Sequence, residues 1–323
     1  MTLSEAAGLF YTCLLVSLPT FGWVVAGALL TRLGLLSQAL NDRVSRLCFN
    51  YGLPLMLFAG AASVDFTNAL SATFMIAGVV ATLMVAVASW IYSAWRGHPL
   101  EERGIFVQGA FRSNLAIMGL ALCIAAYGEQ GAQLGALAVA AMTSLYNVLA
   151  VLVLNRTLGG NSSLLAALWG VLRNPLLIGI AAGAAVSISG LPVPGFVEPA
   201  SLWLSTLFLP LMLICIGGAM KLSELRSAGV IAWESTIWRL IVAPLITVLL
   251  AMAMGVHDEA LGVLFLLVAA PAAASGYVMV VAARGNGVLA ANIVVLTTAF
   301  SAVTLTVGLF LLSMFSLVGI PGR

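Results

Sequence analysis

Two stretches of this chain, NYGLPLMLFAGA at Asn50–Ala61 and TLFLPLMLICIGGA at Thr206–Ala219, share the string LPLML. The first copy starts at Leu53 and the second at Leu209, an offset of 156. Leucine is common here, but the flanks agree as well, with small residues following each copy. A second pair extends the match. RSNLAIMGLALCIAAYG at Arg112–Gly128 lies against APAAASGYVMVVAARG at Ala270–Gly285, which sets Gly119 opposite Gly276 and Gly128 opposite Gly285 at an offset of 157. The two halves therefore read as copies of one unit.

Composition says what kind of unit it is. The chain has 323 residues, 62% of them hydrophobic and only 7% charged, where a soluble domain carries roughly 25% charged residues. So apolar a chain cannot cover its surface with polar groups in water, and a membrane protein is the reading. The net charge of +2, without a basic tail, gives no support for a nucleic-acid partner. Cys13, Cys48, Cys123 and Cys215 lie in apolar stretches without metal spacing and read as buried fillers. MTLSEAAGLF lacks the positive start of a secretory signal, so the first apolar stretch is expected to stay in the mature protein.

A spanning helix needs about 20 mostly apolar residues. Ten such stretches lie near 8–30, 44–62, 70–94, 104–127, 132–154, 174–190, 199–219, 229–254, 260–283 and 289–316. LLAALWGVL at 164–172 is short and amphipathic and reads as lying at the interface. Arg32, Arg43 and Arg46 follow the first stretch, Arg96 and Arg103 the third, Arg156 and Arg173 the fifth, Lys221 and Arg226 the seventh, and Arg284 the ninth. The alternate loops SVDFTNAL, YGEQGAQ, SGLPVPGFVEPAS and GVHDEALG contain no Lys or Arg. Positive residues mark the cytoplasmic side, so both termini are expected outside the cytoplasm. Five spans per half is an odd number, so the second half stands inverted. The expected fold is an all-α membrane protein of ten helices in two inverted repeats, 1–157 and 158–323, a frequent design of secondary transporters.

Polar interruptions place the candidate site. Arg112, Ser113 and Asn114 break the fourth span near half depth, and Pro271, Ser275, Gly276 and Tyr277 do so in the ninth. Discontinuous helices at matching positions point to a transport site. The N-terminus of each re-started helix offers free N–H groups to an anion. Pro54 and Pro210 each free the carbonyl four residues earlier, at Asn50 and Thr206, and such carbonyls either line a cavity with Tyr51 or are satisfied locally. Arg112 costs about 2.5–3.5 kcal/mol at a helix centre. Either it reaches the cytoplasmic face, pairing with Glu234 or Asp42, or it adds positive potential to an anion path. Arg239 and Glu234 read as structural or snorkelling groups, and His98 and His257 as plain loop residues. The spans contain no central carboxylate of the kind many coupled carriers use. No catalytic set, metal spacing or phosphate loop occurs in the sequence, so neither enzymatic activity nor a cofactor is expected.

LTRLGLLSQALNDRVSRLCFNYGLPLMLF at 30–58, SNLAIMGLAL at 113–122, RNPLLIGIAAG at 173–183 and PAAASGYVMVVAARG at 271–285 together resemble the auxin efflux carrier family, whose bacterial members include malonate and malate carriers. The resemblance runs along nearly the whole chain. It implies crossed broken helices at spans four and nine, as in the bile-acid sodium symporter fold. It also implies a scaffold of spans one, two, six and seven with the rest as a moving unit, and it suggests a homodimer in the bacterial inner membrane. Asn114 matches the family's span-four asparagine, implicated in holding a substrate carboxylate. Two departures stand out: Ala121 where the family often has proline, and Ser275 where it often has asparagine. The expected function is secondary transport of a small mono- or dicarboxylate by an elevator motion. Asn114, Ser113, Arg112, Ser275, Gly276 and Tyr277 would form the site, Asn50, Tyr51 and Thr206 its scaffold side, and Pro54, Pro210, Pro271 and Gly119 the breaks and kinks. The alternatives are a sodium-coupled bile-acid-type symporter and a non-transporting membrane receptor or assembly subunit.

Overall fold

A computed structural model describes residues 3–62, 69–159, 172–189, 197–220 and 228–319, with Leu165 and Trp169. Most of the 164–172 stretch, with Lys221 and Arg226, lies outside the described residues. The described chain is helical: α1 (Leu3–Arg32), α2 (Gln38–Leu47), α3 (Leu53–Ala62), α4 (Ala69–Trp95), α5 (Leu100–Phe111), α6 (Leu120–Leu158), α7 (Pro175–Ser189), α8 (Val197–Ala219), α9 (Val230–Ile237), α10 (Ala243–Ala253), α11 (Asp258–Ala269), α12 (Ala274–Ala282) and α13 (Gly287–Met314). Wide π-turns occupy Cys48–Gly52, Leu115–Gly119 and Trp238–Val242. Among the described residues five helical segments are long and apolar enough to cross a membrane, and Pro175–Ser189 and Thr206–Ala219 are shorter apolar ones.

Local chemistry explains the irregularities. Pro54 and Pro244 each stand two residues beyond a π-turn. A proline has no N–H to give the carbonyl four residues back, and a wide turn absorbs the mismatch without ending the helix. Pro210 stands inside α8 with no such turn. Gly128 has φ 55° and ψ −129° inside α6, a conformation that glycine alone enters cheaply. The expected spans at 104–127 and 132–154 meet there without a loop.

Packing relies on close backbone approach. A Cβ at Gly27 in α1 would strike the Ile214 carbonyl of α8, and one at Gly183 in α7 would strike the Phe58 carbonyl of α3. Small residues at such crossings let helices associate in lipid, where apolar burial gives no driving force. The interior is filled by Phe74, Phe106, Phe111, Met118, Met142 and Leu264, with all four cysteines free and buried. Ser17 of α1 and Thr306 of α13 share a buried hydroxyl–hydroxyl bond of 2.6 Å.

Candidate functional site

The site grows from two broken helices. α5 stops at Phe111, and the chain turns extended at Arg112 (φ −88°, ψ 88°) before restarting at the Leu115–Gly119 π-turn. α11 stops at Ala269, Ala270 is extended (ψ 148°), and α12 begins at Ala274. Proline explains the second break: Pro271 lacks an N–H and drives the residue before it out of the helical region. The first break has no proline. Its short polar side chains compete with the helix for backbone groups, and a partner strand completes the job.

That partner is the other break. Ser113 and Ala272 form an antiparallel bridge. The Asn114 N–H donates to the Pro271 carbonyl at 2.8 Å, and the Ala273 N–H donates to the Arg112 carbonyl at 3.1 Å. The Ala272 N–H goes to the Thr297 hydroxyl of α13 at 3.1 Å. Irregular backbone survives inside an apolar bundle only when such groups are satisfied; here each break supplies the other.

Side chains then furnish the crossing. Arg112 is only 7% exposed. Its Nη2 donates to Asn147 Oδ1 at 2.8 Å and to Ser275 Oγ at 3.1 Å, while Nε and Nη1 have no partner. The pairing with Glu234 or Asp42 that the sequence allowed does not occur. Glu234 accepts from Arg96 Nε at 3.0 Å and lies 2.8 Å from His98 Nε2, and Asp42 accepts from Gln38. Arg112 instead keeps a neutral shell. A shallow, half-open pocket lies beside it, lined by Gln108, Arg112, Gly276, Tyr277 and apolar residues including Ile293. Two re-started helices, at Leu115 and Ala274, begin in the same region, each without a side-chain cap, so their positively polarised ends meet there.

The sequence-derived residues separate into three groups. Arg112, Gly276 and Tyr277 line the cavity. Asn114 is 8% exposed and does not cap the helix it precedes; Pro271 bonds it through backbone; Ser275 holds Arg112. Ser113 turns to the Tyr146 hydroxyl at 3.1 Å, and Gly119 closes the π-turn by donating to the Asn114 carbonyl at 2.9 Å. Asn50, Tyr51 and Thr206 are exposed, Tyr51 at 67%, and Pro54 and Pro210 lie in α3 and α8.

One expectation needs correcting, and one alternative falls away. His98 is no plain loop residue: the tight turn between α4 and α5 folds it inward, where its Nδ1 lies 2.9 Å from Ser93 Oγ and its ring packs on Tyr92 and Phe106. Arg239 does not snorkel: it is 0% exposed. His257 is exposed, its Nδ1 2.6 Å from the Asp258 carboxylate. Sequence reading missed Gln108, Asn147, Tyr146 and Thr297. Only Gln108 left a signal, one turn before Arg112 on the same helix face.

No curated protein matches the chain. A family model described as membrane transport protein matches residues 16–309. With that match along most of its length, and with apolar helices long enough to span a bilayer, the chain is an integral membrane protein belonging to the membrane transport protein family, that of the auxin efflux carriers.

Proposed function

We propose that this chain is a secondary carrier of small organic anions, mono- or dicarboxylates, bound at the paired breaks and exposed to each side in turn by an elevator motion. The observation that carries the reading is Arg112: a buried guanidinium with two unpaired nitrogens, facing a small cavity and bonded only to neutral groups. A carboxylate offers the planar, bidentate partner that guanidinium nitrogens match. Gln108, Tyr277 and the N-termini of the re-started helices supply further donors. Asn114 would add its amide as the helices move.

Ten spans in two inverted repeats, 1–157 and 158–323, suit this motion. The offset of 156 carries Gly27 to Gly183 and Phe58 to Ile214, so the close contact Gly27–Ile214 maps onto Gly183–Phe58. The offset of 157 carries Asn114 to Pro271, and these two meet in one hydrogen bond. Both relations are what a pseudo-twofold axis through the crossing would produce. Spans one, two, six and seven would be the scaffold and the others the moving unit, with both termini outside the cytoplasm, in the bacterial inner membrane, as a homodimer.

The test is uptake of labelled acetate, malonate and succinate into proteoliposomes under imposed pH, sodium or voltage gradients. Accumulation of at least one, lost in Asn114→Ala with folding preserved, is the expected result. Strict dependence on sodium would favour the symporter alternative. Failure of every carboxylate to bind or enter would favour a non-transporting role.

A further inference from the structure

Arg239 is the largest fully buried side chain in the molecule's described part, and the site above does not use it. It lies in the Trp238–Val242 π-turn, the kind of helix irregularity often found at functional positions. Its Nη2 donates to the Val268 carbonyl, while Nε and Nη1 have no partner. Glu234, five residues earlier, is taken by Arg96 and His98, and no described acidic residue hydrogen-bonds to Arg239. A buried ion without a counter-ion is costly, so its charge calls for a reason.

The reason lies in what it touches. Val268 is in the last turn of α11. The N–H that would close its helical bond belongs to Ala272, which goes to Thr297 instead. The break thus leaves the Val268 carbonyl without a helical donor, at the partially negative end of a half-helix. Arg239 occupies that end. One turn earlier on the same span, Ser235 donates to the Phe106 carbonyl of α5 at 3.1 Å. Span eight therefore straps both broken helices, α5 through Ser235 and α11 through Arg239.

We propose that Arg239 is a positioning residue: a fixed, built-in cation that clamps the carbonyl end of α11 and, with Ser235 holding α5 from the same span, keeps the two breaks in register for anion binding. The transport arm of the test rests on the carrier reading; the thermal arm does not.

Arg239→Ala and Arg239→Lys would be purified in detergent and reconstituted, with labelled malonate, succinate and acetate as probes. Arg239→Ala is expected to lose uptake by roughly tenfold or more, the worth of a charge-assisted hydrogen bond. Low-millimolar guanidinium should restore it and should raise the melting temperature of this variant but not that of the wild type. Arg239→Lys, which keeps the charge, should fold and retain intermediate uptake. If Arg239→Ala folds only with guanidinium present, the clamp is supported. Unchanged uptake in a folded Arg239→Ala, or no response of that variant to guanidinium in either assay, would overturn the proposal. Should no probe enter with the wild type while guanidinium still selectively stabilises Arg239→Ala, the carrier reading fails and the clamp stands.

Discussion

The two breaks do the same geometric job with opposite materials. Arg112–Ser113–Asn114 carries its own polar groups, while Ala270–Pro271–Ala272–Ala273 has apolar side chains throughout. The second break borrows what it lacks: Thr297 accepts its Ala272 N–H, Arg239 fills the orphaned Val268 carbonyl, and Arg112 reaches across to Ser275. A proline makes one break by taking away a hydrogen bond, and polar competition makes the other. The lesson is that duplicated halves need only share backbone geometry at such a crossing. The chemistry can be loaded onto one side, and the side that carries Arg112 should carry most of the binding.

The largest effect expected from that asymmetry follows Arg112→Gln. The variant keeps hydrogen-bonding capacity and removes the charge, so uptake of whichever carboxylate the wild type transports should fall about tenfold to a hundredfold, with the fold intact by gel filtration. A variant transporting at the wild-type rate would show that the first break is not where the anion is held. Next comes Thr297→Val, which is close to isosteric but strands the Ala272 N–H inside the bundle. It should lower stability by about 1–3 kcal/mol, read as a drop in melting temperature. No drop would mean that the second break does not depend on borrowed partners. Smaller again is Ser113→Ala, which removes a neutral hydroxyl pair with Tyr146; about 1 kcal/mol of stability should be lost, with uptake nearly unchanged because Ser113 faces away from the cavity.

How much of this was legible in the sequence depends on the length scale of the signal. Hydropathy marks helices directly, and the described helices fall on the apolar stretches near 8–30, 70–94 and 289–316. Pro271 and the Arg-Ser-Asn triplet announce interruptions because proline and short polar residues act on their own backbone. The mutual pairing of the breaks leaves no such trace: residues 112–114 and 271–273 are far apart in sequence, and alanines that pair look like alanines that do not. Arg239 stayed open between a structural and a snorkelling role for a related reason. A lone arginine in an apolar span can extend to the interface or turn inward. The π-turn at Trp238–Val242 changes which way the helix presents its side chains, and nothing in the apolar period reveals it. His98 escaped because its partners, Ser93 and Glu234, meet only when the α4–α5 turn folds against α9.

The finest cut in the comparison is at Ser275, among the described residues the one second-half side chain that touches Arg112 by hydrogen bond. Arg112 Nη2 divides itself between Asn147 at 2.8 Å and Ser275 at 3.1 Å. The Asn147 contact is the shorter, and its amide oxygen is the stronger acceptor of the two. Ser275 is also exposed, so water can replace a lost hydroxyl at little cost. Ser275→Ala should therefore change uptake by no more than about threefold, corresponding to well under 1 kcal/mol, and leave the melting temperature nearly unmoved. Asn147→Ala should cost clearly more, since nothing else within the bundle takes its place. If the order came out reversed, with Ser275 the costlier loss, the second break would be a direct participant in binding and the proposed division of labour between the halves would have to be redrawn.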